Sequence, residues 1–401
     1  MELLAPAGNR EKLETAYHFG ADACYVGGKA FSLRAFAGNF DAEQLKSACE
    51  YAHSLGRKLY VAVNIFPYDS DFDALEDYFK FLESIKVDAA IITDPGAIAL
   101  CRSVAPSLPV HISTQANVLN SRTAEFWANL GAERIILARE LSLDQIKNIR
   151  DRLPAQVQLE CFVHGAMCIS YSGRCLLSSY LSNRNSNKGE CVQSCRWNYE
   201  IREVSRDGDY YPIQEDERGS YILNSKDLNM LAHLQDLIDA GVYSFKIEGR
   251  MKTPYYVATV TNAYRRALDS LQRGEKDLSI LQAELTKCKG RGFTTGFFYP
   301  DHDAEVTYDN SQSDGEYDFI AKVVGYKDGF LEVEQRNRFF KGDFLEVLSN
   351  GPHFNYNIKV EFMTDESGVE IDDAKLVQQR VFIKTPIQLE VGDILRRKRC
   401  K

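Results

Sequence analysis

The sequence predicts an α/β fold: a TIM-type (β/α)8 barrel with a cysteine-rich insertion after strand 7, followed by a small C-terminal antiparallel β-barrel. Three observations predict it. Eight short apolar runs alternate with amphipathic stretches over roughly the first 250 residues, the count and rhythm of a closed parallel barrel. The rhythm breaks once, at a polar stretch over residues 170–219. From residue 318 onward the pattern changes to short alternating strands separated by turn residues such as Lys327-Asp328-Gly329 and Ser349-Asn350-Gly351.

Strands are expected at 3–5, 23–26, 59–65, 89–93, 110–113, 134–138, 158–163 and 244–247. Each is nearly continuous in apolar residues, as a strand covered on both faces must be. Helices are expected at 10–19, 42–55, 72–85, 121–130 and 143–152, where apolar residues recur at helical spacing. Asp41 and Ser142 stand where N-caps belong, and Asp94-Pro95-Gly96 reads as a turn and helix start, a structural role for Asp94. After the insertion, SKDLNMLAHLQDLIDAG (225–241) reads as a helix. Two more helices are expected at 255–272 and 278–289, and GRGFTTGFFYP (290–300) reads as a hinge out of the barrel. The domains so defined are 1–300, a barrel carrying the cysteine site, and 301–401, built from FIAKVVGY, FLEVEQ, DFLEVL, KVEFMT and RVFIKT.

Four cysteines gather where the seventh strand ends. Cys168, Cys175, Cys191 and Cys195 have the spacing C-x6-C-x15-C-x3-C. Disulfides fit poorly, because the opening MELLAPAG lacks the basic and apolar regions of a secretory signal. Zinc modules present two tight cysteine pairs, and only Cys191 with Cys195 makes one. A radical-SAM triplet would need a third cysteine where Asn198 stands. Spacing alone leaves zinc and a four-thiolate iron-sulfur cluster both open. The other cysteines, Cys24, Cys49, Cys101, Cys161, Cys288 and Cys400, are dispersed and read as small buried hydrophobes.

A barrel of this type does its chemistry at the carboxyl ends of its strands. The polar residues there are Asn64, Asp94, Gln115, Arg139 with Glu140, His164, and Glu248 with Arg250, and the cysteines fall on the same face. The guanidinium forks of Arg139 and Arg250 suit a carboxylate or phosphate. His164 reads equally as an orienting or packing residue. Asn64 and Gln115 each end an apolar run and are candidate substrate contacts. In FSLRAFAGNF, Arg34 precedes an aromatic-rich loop that could cover a substrate, and Phe36, Phe40, Tyr171 and Tyr180 could stack on a base, although most such aromatics are core.

Composition excludes some classes. With 44% hydrophobic and 26% charged residues in 401, the chain is globular, and no apolar run approaches the ~18 residues of a membrane span. A cytoplasmic, membrane-free protein is expected. The net charge of -9 argues against nucleic-acid binding by the field of the whole molecule. An RNA substrate therefore needs focused positive charge. The places for it are Lys246, Arg250 and Lys252; Lys287, Lys289 and Arg291; and the terminal RRKRCK (396–401), which reads equally as a solvated run.

The run Glu160-x-Phe162-x-x-Gly165-Ala166-Met167-Cys168, followed by Gly173-x-Cys175, closely resembles the signature of the collagenase-like peptidases, unassigned-mechanism peptidase family 32. ELLAPAGN at 2–9, GADACYVGG at 20–28, SKDL at 225–228, KIEGRMK at 246–252 and RGFTTGF at 291–297 look like the same family, so the resemblance runs over about the first 300 residues. It implies that the four cysteines hold a 4Fe-4S cluster. It also implies oxygen-independent hydroxylation of RNA, first of a tRNA wobble uridine to 5-hydroxyuridine with prephenate as co-substrate. A ribosomal RNA cytidine or a ubiquinone precursor is the variant substrate, and peptide hydrolysis is what the family name implies. The sequence offers little for a peptidase: it has no H-E-x-x-H, no G-x-S-x-G, and only Cys168 with His164 as a nucleophile and base. On the hydroxylase expectation Arg139, Arg250, Glu248 and His164 are catalytic, and Asn64, Gln115, Arg34 and Lys246 bind substrate. The expected partners are tRNA, a small anionic co-substrate, and a related subunit or a second copy of the chain.

Overall fold

The computed structural model describes residues 1–33, 38–167, 177–182, 184, 191–192, 194, 215–216, 219–220, 226–288, 290, 292–299 and 315–399. Seven strands, β1 (Glu2–Pro6), β2 (Ala23–Gly27), β3 (Lys58–Val63), β4 (Ala89–Ile92), β5 (Val110–Ile112), β6 (Arg134–Ile136) and β7 (Gln158–Ala166), pair in parallel in chain order. An eighth strand, Ser244–Ile247, pairs in parallel with both β7 and β1 and closes the barrel. All eight expected strands are present within a few residues of their expected bounds, because strands with two buried faces have an apolar signature that needs no context.

The helices follow the same rhythm: α1 (Arg10–His18), α2 (Ala42–Ser54), α3 (Phe72–Ser84), α4 (Pro95–Val104), α5 (Ser121–Asn129) and α6 (Leu143–Arg150). On α2 the buried residues are Leu45, Ala48, Cys49 and Ala52, one stripe at spacing 3, 4 and 7. Asp41 and Ser142 each form a capping box with Gln44 and Gln145, and the Asp94 carboxylate accepts from Ala97 N at 3.0 Å with Pro95 in the first turn. Each cap contributes about 1 kcal/mol.

Two stretches differ from expectation. Within 225–241 only Leu234–Asp239 is α-helical, after a 3-10 turn at Leu231–His233, and Asp227–Asn229 is a strand antiparallel to β7. The cause is β7 itself, which runs to Ala166, past its expected end at 163. The barrel register of β7 with the eighth strand ends at His164 opposite Ile247, so the backbone beyond it needs another partner, and Asp227–Asn229 pairs along 164–166. Phe293–Thr294 pairs in parallel with that strand, so part of the expected hinge is a tenth strand of the barrel sheet.

The chain divides into two compact units, Met1–Leu13, Asp22–Met251 and Gly290–Ser313 against Glu14–Ala21, Lys252–Lys289 and Asp314–Lys401. The second contains the helix Pro254–Gln272, the short helix Ser279–Glu284 and a seven-stranded antiparallel sheet. Its strand order is Asn357–Lys359, Phe344–Leu348, Ile394–Lys398, Tyr317–Lys327, Phe330–Gln335, Arg380–Lys384 and Met363–Thr364. Only residues 360–362 separate the two edge strands in the chain, so the sheet curls into a half-barrel over a core that includes Ile320, Val323, Val333, Leu345, Val381 and Leu395.

Residues 396–398 of the terminal basic run lie on a strand of this sheet. Arg396 lies fully buried on Ile394–Lys398 with its guanidinium on Glu284 and on Glu346 at 2.6 Å, Arg397 pairs with Asp343, and Arg399 meets Asp318 at 2.7 Å. Lys287, another of the cations available for RNA, is taken up by Glu284 at 2.9 Å and Glu346 at 2.6 Å. No helix among the described residues is long and apolar enough to cross a membrane.

Candidate active site

Polar side chains fill the barrel interior in layers, because alternate residues of each strand point inward. The lowest layer is a buried ionic network. The Arg134 guanidinium, at the start of β6, donates to Glu2 at 2.5 and 3.1 Å, to Glu160 at 3.0 Å and to Gln158 at 2.6 Å. Tyr60 donates to Glu2 at 2.7 Å. Burial disfavours the Glu2 carboxylate, but Arg134 and the Tyr60 and Ser244 hydroxyls more than offset this and hold its pKa below the usual range. Lys246, offered by the sequence as a substrate contact, belongs to this interior. It is 4% exposed, its Nζ lies 2.8 Å from Glu160 Oε1, and it sits over the rings of Tyr25 and Phe162 at 4.5 and 5.3 Å. Burial lowers its pKa, with Glu160 opposing. Sequence reasoning missed Glu2, Tyr60 and Arg134; the one signal was a charge standing at the start of an otherwise apolar run.

The mouth lies above this layer. Arg139 stacks its guanidinium 3.9 Å from the centre of the Phe162 ring, donates to Ala166 O at 3.1 Å, and lies 3.7 Å from Glu248. Both side chains keep some exposure, 12% for Arg139 and 14% for Glu248. The Tyr25 hydroxyl donates to Ile247 O at 3.1 Å and approaches Glu248 at 3.4 Å. Glu248 N donates to His164 O at 2.8 Å, and His164 itself is buried with its ring 5.7 Å from that of Phe293. The loops after β5 and β6 are joined by Thr114 Oγ1 donating to Leu137 O and by Ala138 N donating to Val118 O. On these loops Gln115 Oε1, Asn117 Oδ1 and Glu140 Oε2 are buried acceptors with no partner among the described residues. Burial raises the Glu140 pKa, opposed by local backbone N–H groups and Arg139.

Arg250 is 4% exposed, and its guanidinium donates to Ser32 Oγ at 2.8 Å and to Leu33 O. Asn64 Oδ1 accepts from Leu33 N at 3.1 Å. The structure therefore brings Arg139 and Glu248 together with Phe162 and Tyr25, and sets Arg250 and Asn64 together on the loop after β2. Arg34, Phe36 and Tyr171 lie outside the described residues, as does the Tyr180 side chain, and Phe40 is buried.

Of the four clustered cysteines, Cys168, Cys175 and Cys195 lie outside the described residues, and Cys191 is exposed. Two described features bear on them. Cys168 follows Ala166 by two residues, so the strand pairing with Asp227 and the Arg139 contact hold the backbone entering the group. Val192 N donates to Ser178 Oγ at 3.2 Å, tying the segment after Cys191 to the helix Leu177–Ser182 that follows Cys175. Soft thiolate donors suit iron-sulfur or zinc.

A second cysteine constellation lies at α2. Cys49 Sγ is 3.8 and 3.9 Å from the two His53 ring nitrogens, and His53 Nε2 meets Asp88 at 3.0 Å. The near-equal distances show that the sulfur is not aligned with either nitrogen. The thiol donates to Ile85 O at 3.2 Å, and burial, with Asp88 nearby, pushes its pKa up to about 11. Such a thiol is inert.

The family model for peptidase family U32 matches residues 8–308, and that for the peptidase family U32 C-terminal domain matches residues 315–396. The chain belongs to peptidase family U32. Among U32 relatives, "tRNA hydroxylation protein P1" of Bacillus subtilis (strain 168) is 38% identical over 99% of this chain and 94% of its own length. "tRNA hydroxylation protein P" of Escherichia coli (strain K12) is 36% identical over 98% and 95%. A U32 "Collagenase" of Porphyromonas gingivalis (strain ATCC BAA-308 / W83) is 31% identical over 88% of this chain and 86% of its own length.

Proposed function

We propose that this chain hydroxylates RNA, converting a tRNA wobble uridine to 5-hydroxyuridine with prephenate as co-substrate and without molecular oxygen, and that Cys168, Cys175, Cys191 and Cys195 hold a 4Fe-4S cluster. The observation that carries the reading is similarity along nearly the whole of both chains, at 36–38% identity, to proteins named for tRNA hydroxylation. A bound cluster would supply the redox capacity that hydroxylation at a ring carbon requires and that no side chain provides.

The chain's own residues supply the anion site. Arg139 is the partly exposed guanidinium at the mouth, and Phe162 fixes its plane. Its 3.7 Å separation from Glu248 is a loose pairing that an incoming carboxylate can replace with charge-assisted hydrogen bonds. Prephenate carries two carboxylates. Peptide hydrolysis is the weaker reading, since the Cys49–His53–Asp88 group is inert and a thiolate at Cys168 that binds iron cannot also attack a peptide.

The test is a deletion strain whose total RNA is digested and analysed for modified nucleosides, together with iron and sulfide analysis of the anaerobically purified protein. The expected result is loss of 5-hydroxyuridine-derived nucleosides from tRNA, restored by the wild-type gene, and about four iron and four sulfide per chain. Loss of 5-hydroxycytidine from ribosomal RNA, or of ubiquinone, would move the same chemistry to another substrate. Stoichiometric zinc in place of iron would overturn the cluster, and intact RNA alongside gelatin cleavage by the purified protein would restore the peptidase.

A further inference from the structure

Arg250 and Asn64 reach the same residue from two strand ends that flank β1 and β2. Leu33 N donates to the carboxamide oxygen of Asn64, which follows β3, and Leu33 O accepts from the guanidinium of Arg250, which follows the eighth strand. Both backbone polar groups of one residue are thus held by side chains from two different strand ends. Arg250 adds a third point at Ser32 Oγ, 2.8 Å away. The surroundings are shaped to admit this guanidinium. A Cβ on Gly27 would fall 2.3 Å from Arg250 Nη1 and 2.4 Å from Ser32 Oγ, and a Cβ on Gly8 would fall 2.4 Å from Arg250 O. Lys12 Nζ donates to that carbonyl at 3.3 Å. The base of the same loop is closed by Phe40 N donating to Gly27 O and Lys29 N donating to Phe40 O, each at 2.9 Å.

We infer that Arg250 is a positioning residue which, together with Asn64, clamps the root of the loop after β2 to the barrel mouth, and that Arg139 alone of the two strand-end arginines meets the anionic co-substrate. A buried fork whose two Nη groups donate to Ser32 and Leu33 has its geometry set by the loop. Removing it frees a loop and leaves the anion's partner in place. The inference rests on the hydroxylase reading for its effect on turnover, while the clamp itself rests on geometry.

Three variants test it: Arg250→Ala, Asn64→Ala, and Gly27→Ala, which displaces the guanidinium while keeping the arginine. Hydrogen exchange of the amides of 28–33 reads the clamp, calorimetric titration with prephenate reads the anion site, and modified-nucleoside formation on tRNA reads turnover. Each variant is expected to speed exchange by about tenfold or more, as local opening becomes easier, and to lower turnover by about tenfold through misplacement. Prephenate affinity should stay within about twofold, since the charge-assisted contacts at Arg139 are untouched. The double variant Arg250→Ala/Asn64→Ala should be no worse than the poorer single one, because both act on one residue. Arg250→Lys should recover part of both readouts, since one ammonium reaches one of the two acceptors. Lost prephenate binding with unchanged exchange in Arg250→Ala would make Arg250 an anion ligand and overturn the inference, as would faster exchange with undiminished turnover. Should Arg250→Ala fail to fold, Asn64→Ala and Gly27→Ala decide. If the wild-type protein hydroxylates no RNA, the functional reading fails, and the exchange data alone uphold or overturn the clamp.

Discussion

Two arginines that look alike in sequence, each just past an apolar run, do different work because their partners are different. Arg139 keeps an exposed edge and a loose acidic neighbour, while Arg250 is buried on a loop. On the proposed function, Arg139→Ala should cost prephenate binding a charge-assisted contact of about 1.5–3 kcal/mol, or about 10- to 150-fold in affinity, with lysine restoring only part. Because Arg139 also donates to Ala166 O, two residues before Cys168, iron per chain must be measured alongside. Unchanged prephenate affinity with bleached protein would make Arg139 a brace for the cysteines and remove it from the anion site. Gln115 offers the opposite kind of test. Its buried Oε1 has no partner among the described residues. Gln115→Met, of similar length and with no acceptor to desolvate, should raise stability by about 1 kcal/mol in chemical denaturation while lowering hydroxylation if the carboxamide serves substrate. A loss of stability would show that the amide is satisfied where it stands.

At the scale of elements, what was legible followed from local pattern. Strands β1 to β7 and the caps at Asp41, Asp94 and Ser142 depend on residues a few positions apart, so sequence alone shows them. The strand at Asp227–Asn229 reads as helix in the sequence because its partner, 164–166, is some sixty residues away, and its own leucine fits a helix equally well. The run 396–401 reads equally as charge for RNA or as a solvated run, and its strand residues escape both readings for the same reason, since the acids that neutralise Arg396 sit 112 and 50 residues earlier. The candidate site divides the same way: polar ends of apolar strands marked Arg139 and Glu248, but nothing local showed that Lys246 and Arg250 would turn inward. The Arg396 pairing yields a prediction. Arg396→Ala leaves Glu284, itself fully buried, with Lys287 as a remaining cation but without its guanidinium, so the C-terminal sheet should lose about 3 kcal/mol in denaturant unfolding followed by a probe in 315–399. A loss under about 1 kcal/mol would place that pair in water. The floor network predicts a pH dependence. The folded pKa of Glu2 lies below its unfolded value near 4.5, so its contribution is present above that pH and is lost as pH falls through the folded value. Glu2→Gln should accordingly lower the neutral-pH melting temperature and flatten its fall between about pH 5 and 3. Parallel pH profiles for variant and wild type would show that Glu2 carries no proton linkage.

For the whole molecule, the physical tension lies between an acidic chain and the RNA substrate proposed for it. The chain carries a net charge of -9, and most of the cations its sequence offered to a phosphate backbone are already engaged: Lys246 with Glu160, Arg250 with Ser32 and Leu33, Lys287 with Glu284 and Glu346, and Arg396, Arg397 and Arg399 with acids of the C-terminal domain. Each of these cations would have to give up a partner to meet a phosphate, and for the buried ones this costs more than a phosphate contact returns. Recognition must then draw on shape, stacking and base contacts more than on counterion release. The measurable consequence is the salt dependence of tRNA binding. With only two or three phosphates neutralised, the slope of log K against log salt should lie near -2, so that raising salt from about 50 to 200 mM weakens binding by about 16-fold. A protein with an extended basic groove loses about a thousandfold or more over the same range. Titration of labelled tRNA at four salt concentrations distinguishes the two. A slope steeper than about -5 would mean that six or more cations reach the backbone, and that the engaged side chains named above exchange their partners when RNA binds.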